Sequence, residues 1–185
     1  MEKVMIWVNG AFGTGKSTTA EELHRRLPHS FVYDPEEVGY FIRKNIPAEL
    51  HQSDFQDHPM WREMNLTMLS HLYKTYSGTL IVPMTLVNPE YFEELVGGLR
   101  KLGIEVRHFA LLAKRETLLK RLKGRGDGAN SWPAQQIDRC LEALSQDRFG
   151  QHIHTDDWTR EQVVEHIAAA CNLELEADDR NVLYK

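Results

Sequence analysis

Short apolar runs alternate along this chain with stretches in which apolar residues return every three or four positions. Val4, Met5, Ile6, Trp7 and Val8 form an unbroken run that reads as a buried strand. From Lys16 the spacing of Ala20, Leu23 and Leu27 predicts a helix, which Pro28 ends. Phe31, Val32 and Tyr33 read as a second strand closing at Asp34, and Pro35 opens a helix to about Lys44. Residues 45–60 lack periodicity and read as a surface excursion on the substrate side. Trp61, Met64, Met68, Leu72 and Tyr76 form a helical stripe ahead of a third strand at Thr79 to Pro83. Asn88-Pro89 caps a helix carrying Phe92, Leu95, Val96 and Leu99, and a fourth strand spans about Glu105 to Leu112.

A helix from Glu116 to Lys123 leads into the glycine-rich run 124–131, and Ile137, Cys140, Leu141 and Leu144 mark the next helix. His152 to Thr155 makes a short fifth strand, and Thr159-Arg160-Glu161-Gln162 has the capping-box pattern before a last helix through Val163, Ile167 and Ala170. The tail 173–185 receives no assignment. Such alternation predicts one α/β domain over 1–185, a three-layer fold with a five-stranded parallel sheet and helices on both faces, whose ligands meet the carboxyl ends of the strands.

Composition narrows the function classes. A chain of 185 residues buries roughly 70% of its unfolded surface without staples. The net charge of −5 gives no global attraction to nucleic acid. Cys140 and Cys171 fit no metal or redox spacing, and no apolar stretch approaches the roughly 20 residues of a spanning helix. With strand 1 starting directly after Met-Glu-Lys, these features predict a cytoplasmic chain without a transmembrane segment. Oligomeric state is not legible.

The chemistry starts between strand 1 and helix 1. Gly10-Ala11-Phe12-Gly13-Thr14-Gly15-Lys16-Ser17 matches G-x-x-x-x-G-K-[ST] in its required strand-to-helix setting. A chance match in so short a chain is an event of roughly one in a hundred or rarer. In such a P-loop the backbone N–H groups hold phosphates, Lys16 reaches the β- and γ-phosphates, and the Ser17 hydroxyl ligates Mg²⁺; Thr18 can donate to the α-phosphate or simply sit in the first turn. The expected cofactors are ATP and Mg²⁺. No N-K-x-D guanine-reading motif is present, and strand 3 runs into Pro83-Met84-Thr85 rather than an acidic residue.

Lys114, Arg115, Lys120, Arg121, Lys123 and Arg125 form the densest basic cluster, beside the glycine-rich run. The segment 121–132 reads as a lid, with Arg121 for the nucleotide phosphates and Arg125 for the phosphoryl group in transit; a solvated helix end is the alternative. Asp34, at the end of strand 2 and expected next to the P-loop, is the leading catalytic acid, set to take an acceptor proton or hold a magnesium-bound water. Followed by Pro35, it is equally a good helix N-cap. Tyr40 and Arg43 on the following helix, and Trp61 beyond it, are candidate contacts to a small-molecule acceptor, although Arg43 also suits a surface and Trp61 a core. His152 and His154 share a strand face without a clear third metal ligand.

With these residues in view, the chain resembles the ATP-binding tunicamycin-resistance family, P-loop kinase-like proteins related in form to chloramphenicol phosphotransferase. The matching stretches are W-V-N-G-A-F-G-T-G-K-S-T-T-A-E-E-L from Trp7, V-Y-D-P-E-E-V-G-Y-F-I-R-K from Val32, D-F-Q-D-H-P-M-W-R from Asp54, V-P-M-T-L from Val82 and L-L-A-K-R-E-T-L-L-K-R-L from Leu111. The resemblance implies a nucleotide-kinase-like fold and resistance to a uridine-containing, lipid-tailed antibiotic, either by phosphorylating it or by binding it with ATP. A housekeeping nucleoside or sugar kinase is the third reading. The similarity to chloramphenicol phosphotransferase implies a base at Asp34. An acyl chain would want an apolar groove, for which Phe12, Tyr40, Phe41, Met60, Trp61 and Met84 are candidates.

Overall fold

The computed structural model describes residues 3–128 and 130–178. Among them five parallel strands, β1 (Met5–Gly10), β2 (Ser30–Val32), β3 (Thr79–Pro83), β4 (Val106–Leu112) and β5 (Gln151–His154), form one sheet in the order β2-β3-β1-β4-β5. β1 is central, with Met5 opposite Leu80 of β3 on one side and Val106 of β4 on the other, and all six of its residues are buried. A strand covered on both faces needs no polar alternation, which is why its sequence reads as a continuous apolar run.

The helices are α1 (Lys16–Arg26), α2 (Pro35–Asn45), α3 (Pro59–Thr75), α4 (Pro89–Phe92), α5 (Gly98–Lys101), α6 (Arg115–Gly124), α7 (Trp132–Gln135), α8 (Ile137–Leu144) and α9 (Arg160–Ala170), with a π turn at Glu93–Gly97 joining α4 to α5. Side chains of a strand alternate between faces. Met5 and Trp7 therefore pack into one apolar layer with Trp61, Leu69, Leu95, Leu99 and Leu144, and Ile6 and Val8 into the other with Leu23, Val164 and Ile167. Each fully buried aliphatic side chain contributes about 1.5–3 kcal/mol. The result is the expected three-layer α/β fold, and no helix among the described residues is long and apolar enough to cross a membrane.

Local signals set the helix starts. The Asn88 carboxamide oxygen accepts from the N–H of Glu90 at 2.8 Å ahead of Pro89, and Thr159 and Gln162 exchange both bonds of the capping box. Two expectations change, and one unassigned segment gains a place. β1 runs on through Gly10, so the first P-loop glycine is the last residue of the strand. The excursion 45–60 is not merely surface: it holds two 3-10 turns, Ala48–Leu50 and Phe55–Asp57, with Phe55 packed on the core and Gln56 buried. Its anchor is the Gln56 amide, which donates to the Thr85 carbonyl at 2.9 Å. Part of the unassigned tail packs on α1, where the N–H of Glu176 donates to the Arg26 carbonyl and the Arg26 guanidinium to the Glu176 carbonyl, both at 2.9 Å. Residues 179–185 of that tail, and Ala129 of the glycine-rich run, lie outside the described residues.

Candidate nucleotide and acceptor site

The loop between β1 and α1 turns on Gly13 (φ 87°) and Gly15 (φ 96°), left-handed conformations that a residue with a Cβ adopts only under strain. Its entrance is fixed from below by Asn9. The Asn9 Oδ1 accepts from the N–H groups of Gly10 at 2.8 Å and Leu86 at 3.0 Å, while Nδ2 donates to the Leu86 carbonyl at 2.7 Å and to His108 Nε2 at 3.1 Å. Thr85 Oγ1 adds a bond to the Gly10 carbonyl at 2.8 Å. Because Asn9 donates to Nε2, His108 is the neutral tautomer protonated on Nδ1. Burial, ahead of all other causes, lowers its pKa to about 4. Sequence reasoning missed this anchor; the signal was one asparagine ending an otherwise apolar run.

Lys16 is half-buried, donates to the Ala11 carbonyl at 3.2 Å and lies 5.4 Å from the centre of the Phe12 ring. Burial lowers its pKa to about 8; Glu36 is the strongest of the charges that oppose the shift, and Asp34 also opposes it, while Arg125 adds to it. An ammonium held this way is stabilised by any anion brought against it. Ser17 opens α1 with its side chain exposed. Among the described residues no cluster of three His, Cys, Asp or Glu could hold a metal. One hydroxyl beside a phosphate site nonetheless suits Mg²⁺, which keeps most of its waters and binds through nucleotide phosphates.

Two cavities meet at this loop. The first, of about 450 Å³, is lined by Gly13, Thr14, Gly15, Thr18, Arg121, Arg125, Thr155, Trp158 and Arg160. Arg121 Nη1 leans on the Gly13 carbonyl at 3.4 Å, whereas Arg125 is exposed at the end of α6. The expected arginines thus stand beside the loop, joined by Trp158 and Arg160, which the sequence reading did not single out. The second cavity, of about 400 Å³, is lined by Phe12, Glu36, Tyr40, Arg43, Asp54, Phe55, Gln56, Met84 and Trp132. Phe12 packs edge-on against Trp132, ring centres 5.2 Å apart.

Several expected residues stand elsewhere or act otherwise. Trp61 does not face an acceptor: it is fully buried, its indole N–H donates to the Pro35 carbonyl at 2.9 Å, and Phe55 lies between it and the cavity with ring centres 5.5 Å apart. Phe41 and Met60 are exposed and absent from the cavity wall, so the apolar groove is built from Phe12, Tyr40 and Met84 together with Phe55 and Trp132. Arg43 reaches the cavity but binds the excursion, with Nη2 donating to the Ser53 carbonyl at 3.1 Å and the guanidinium 5.6 Å from the Phe55 ring centre.

Asp34 is not the immediate neighbour of the P-loop, because β3 lies between β2 and β1. It is exposed, and its Oδ1 accepts from the N–H of Glu36 at 2.9 Å as the N-cap of α2. Glu36 and Asp54, both missed by the sequence reading, line the second cavity instead. Burial raises both carboxyls above their ordinary range, with Asp34 adding to the rise at Glu36.

A phosphate cradle on a central parallel strand, with a second cavity across the same loop, defines a P-loop kinase-like nucleotide-binding protein. The family model described as AAA domain matches residues 5–147. The fold is similar to that of the tunicamycin resistance protein of Deinococcus radiodurans, at 37% identity over 96% of this chain and 100% of that one, with a TM-score of 0.84. A gluconokinase from Sinorhizobium meliloti 1021 shares the fold at 17% identity, covering 91% of each chain with a TM-score of 0.66. So does a shikimate kinase from Bacteroides thetaiotaomicron, at 17% identity over 92% of this chain and 99% of that one, with a TM-score of 0.58. No curated protein matches the sequence. The chain belongs to the AAA domain family and to the family of the Deinococcus radiodurans tunicamycin resistance protein.

Proposed function

We propose that the chain is an ATP-dependent phosphotransferase acting on a hydroxyl of a nucleoside-type antibiotic or related metabolite. The observation that carries this reading is the double membership of Phe12: it belongs to the phosphate loop, under Lys16, and forms one wall of the aromatic cavity. An acceptor seated against Phe12, Tyr40, Phe55 and Trp132 lies beside the lysine that meets the terminal phosphate. Tunicamycin is the first acceptor to try, since the Deinococcus radiodurans relative carries that drug in its name.

In this reading the backbone N–H groups of Gly13 and of Gly15 to Thr18 hold the triphosphate, and Lys16 neutralises charge developing on the β- and γ-phosphate oxygens. Ser17 would hold Mg²⁺ together with the phosphates, and the ion would supply further charge neutralisation. Arg121 contacts the nucleotide phosphates, and the segment 121–132 closes as a lid that brings Arg125 to the transferring group and excludes water. A carboxylate of the first turn of α2 takes the hydroxyl proton.

A second reading, sequestration of the drug with ATP only shaping the pocket, is favoured by one feature: Asp34, the expected base, is occupied as a helix cap. Incubating the protein with Mg-ATP and tunicamycin and then weighing the drug by mass spectrometry separates the two. Drug heavier by one phosphoryl group supports transfer. Unchanged drug that binds saturably supports sequestration.

A further inference from the structure

The first turn of α2 presents three carboxylates in unequal places. Asp34 is exposed, and one of its oxygens is held by the helix it caps; Glu37 is exposed as well. Glu36 is half-buried and lines the aromatic cavity, to which Asp34 does not contribute. Phe12 lines the same cavity as Glu36, and its ring centre lies 5.4 Å from the Lys16 ammonium. A group that receives the proton of an attacking hydroxyl must face the acceptor's space and lie close to the lysine that meets the γ-phosphate. Glu36 meets both conditions.

We propose that Glu36, rather than Asp34, is the carboxylate that accepts the acceptor's hydroxyl proton. This rests on the phosphotransfer reading above. The acceptor oxygen forms a bond to the γ-phosphorus while the bond from that phosphorus to the β,γ-bridging oxygen breaks. The electron pair of the broken bond leaves with ADP, and the hydroxyl proton passes to a Glu36 carboxylate oxygen and then to water. Tyr40, whose hydroxyl donates to Glu36 Oε2 at 3.4 Å, steadies one oxygen and leaves Oε1 for the acceptor. Lys16 from the loop and Asp54 from the excursion complete the charged surroundings. Asp34 then acts as a positioning residue, holding the turn from which Glu36 projects.

The test compares wild type, Glu36→Gln and Asp34→Asn with Mg-ATP and tunicamycin, reading phosphorylated drug by mass spectrometry. Drug affinity is read by calorimetry with a non-hydrolysable ATP analogue present, and folding by thermal melting. Glu36→Gln keeps the side-chain shape, so drug affinity stays within about threefold while kcat falls by about a hundredfold or more. Asp34→Asn keeps a capping side chain and loses at most about tenfold in kcat. A Glu36→Gln variant within about threefold of wild type, or an Asp34→Asn variant more damaged than Glu36→Gln, overturns the proposal. Wild type that binds the drug and never phosphorylates it overturns the transferase reading and this role with it, a failure seen before any variant is made.

Discussion

Replacing Gly39 by alanine tests whether the Phe55 ring is the wall of the acceptor cavity. A Cβ at Gly39 would lie 2.5, 2.6 and 2.9 Å from three atoms of that ring. Carbon atoms rest at about 3.5–4.0 Å, so the ring must move by roughly 1 Å. It has little freedom to do so, because Trp61 lies behind it, Tyr40 meets it edge-on with ring centres 6.3 Å apart, and Arg43 lies over it. Overpacking of this kind costs about 1–3 kcal/mol, while alanine in place of glycine within a helix returns about 1 kcal/mol. The net loss of stability is therefore small, between about zero and 2 kcal/mol. A separate effect falls on the cavity: drug affinity drops by about tenfold, or 1.4 kcal/mol, while Mg-ATP affinity holds. Calorimetric titration with each ligand, alongside thermal melting, reads all three quantities. A variant that gains about 1 kcal/mol and binds tunicamycin like wild type would refute the reasoning, since Phe55 would then have moved at no cost to binding.

Two further outcomes follow from contacts elsewhere in the fold. The His108 imidazole titrates near 6.5 when free and at about 4 in the fold. Between those values the unfolded chain binds a proton that the folded chain refuses, so stability falls as pH drops from 6.5 towards 4, by about 3 kcal/mol in full. Chemical denaturation across that window should show a shallower slope for His108→Gln, and equal slopes would contradict the assignment. Thr159 accepts from the Gln162 N–H at 3.2 Å, and the Gln162 side chain accepts from the Thr159 N–H at 2.8 Å. Thr159→Ala should therefore cost about 1 kcal/mol in a denaturation midpoint and Thr159→Ser much less; a silent alanine variant would mean that α9 is held by its packing alone.

The elements that periodicity sets were legible in the sequence. β1, α1 and the loop between them follow from an apolar run, a glycine pattern and a helical spacing, and each signal is local. Strand order is not local. Alternation of strands and helices says that a parallel sheet forms, but not that β3 enters between β1 and β2, the strand that leads to Asp34. The exchange of Trp61 for Phe55 has a similar origin. Both rings fall in one nine-residue stretch, and a helical stripe does not reveal which ring meets the core. Gly39 leaves room on α2 for the Phe55 ring, and the first turn of α3 carries Trp61 beneath it. Asn9 and Glu36 were legible only as polar residues in apolar or helical surroundings, because their roles depend on partners far along the chain, Leu86 and His108 for the one and the cavity wall for the other.

The account as a whole depends on a triphosphate held at the loop that opens α1. Calorimetric titration of the wild-type protein and of Lys16→Ala with Mg-ATP tests that most directly. The wild type should bind one nucleotide per chain, and the variant should bind about tenfold to a hundredfold more weakly, the worth of a charged hydrogen bond to phosphate. No heat from the wild type with any nucleotide, or an alanine variant that binds as tightly as the wild type, would contradict it.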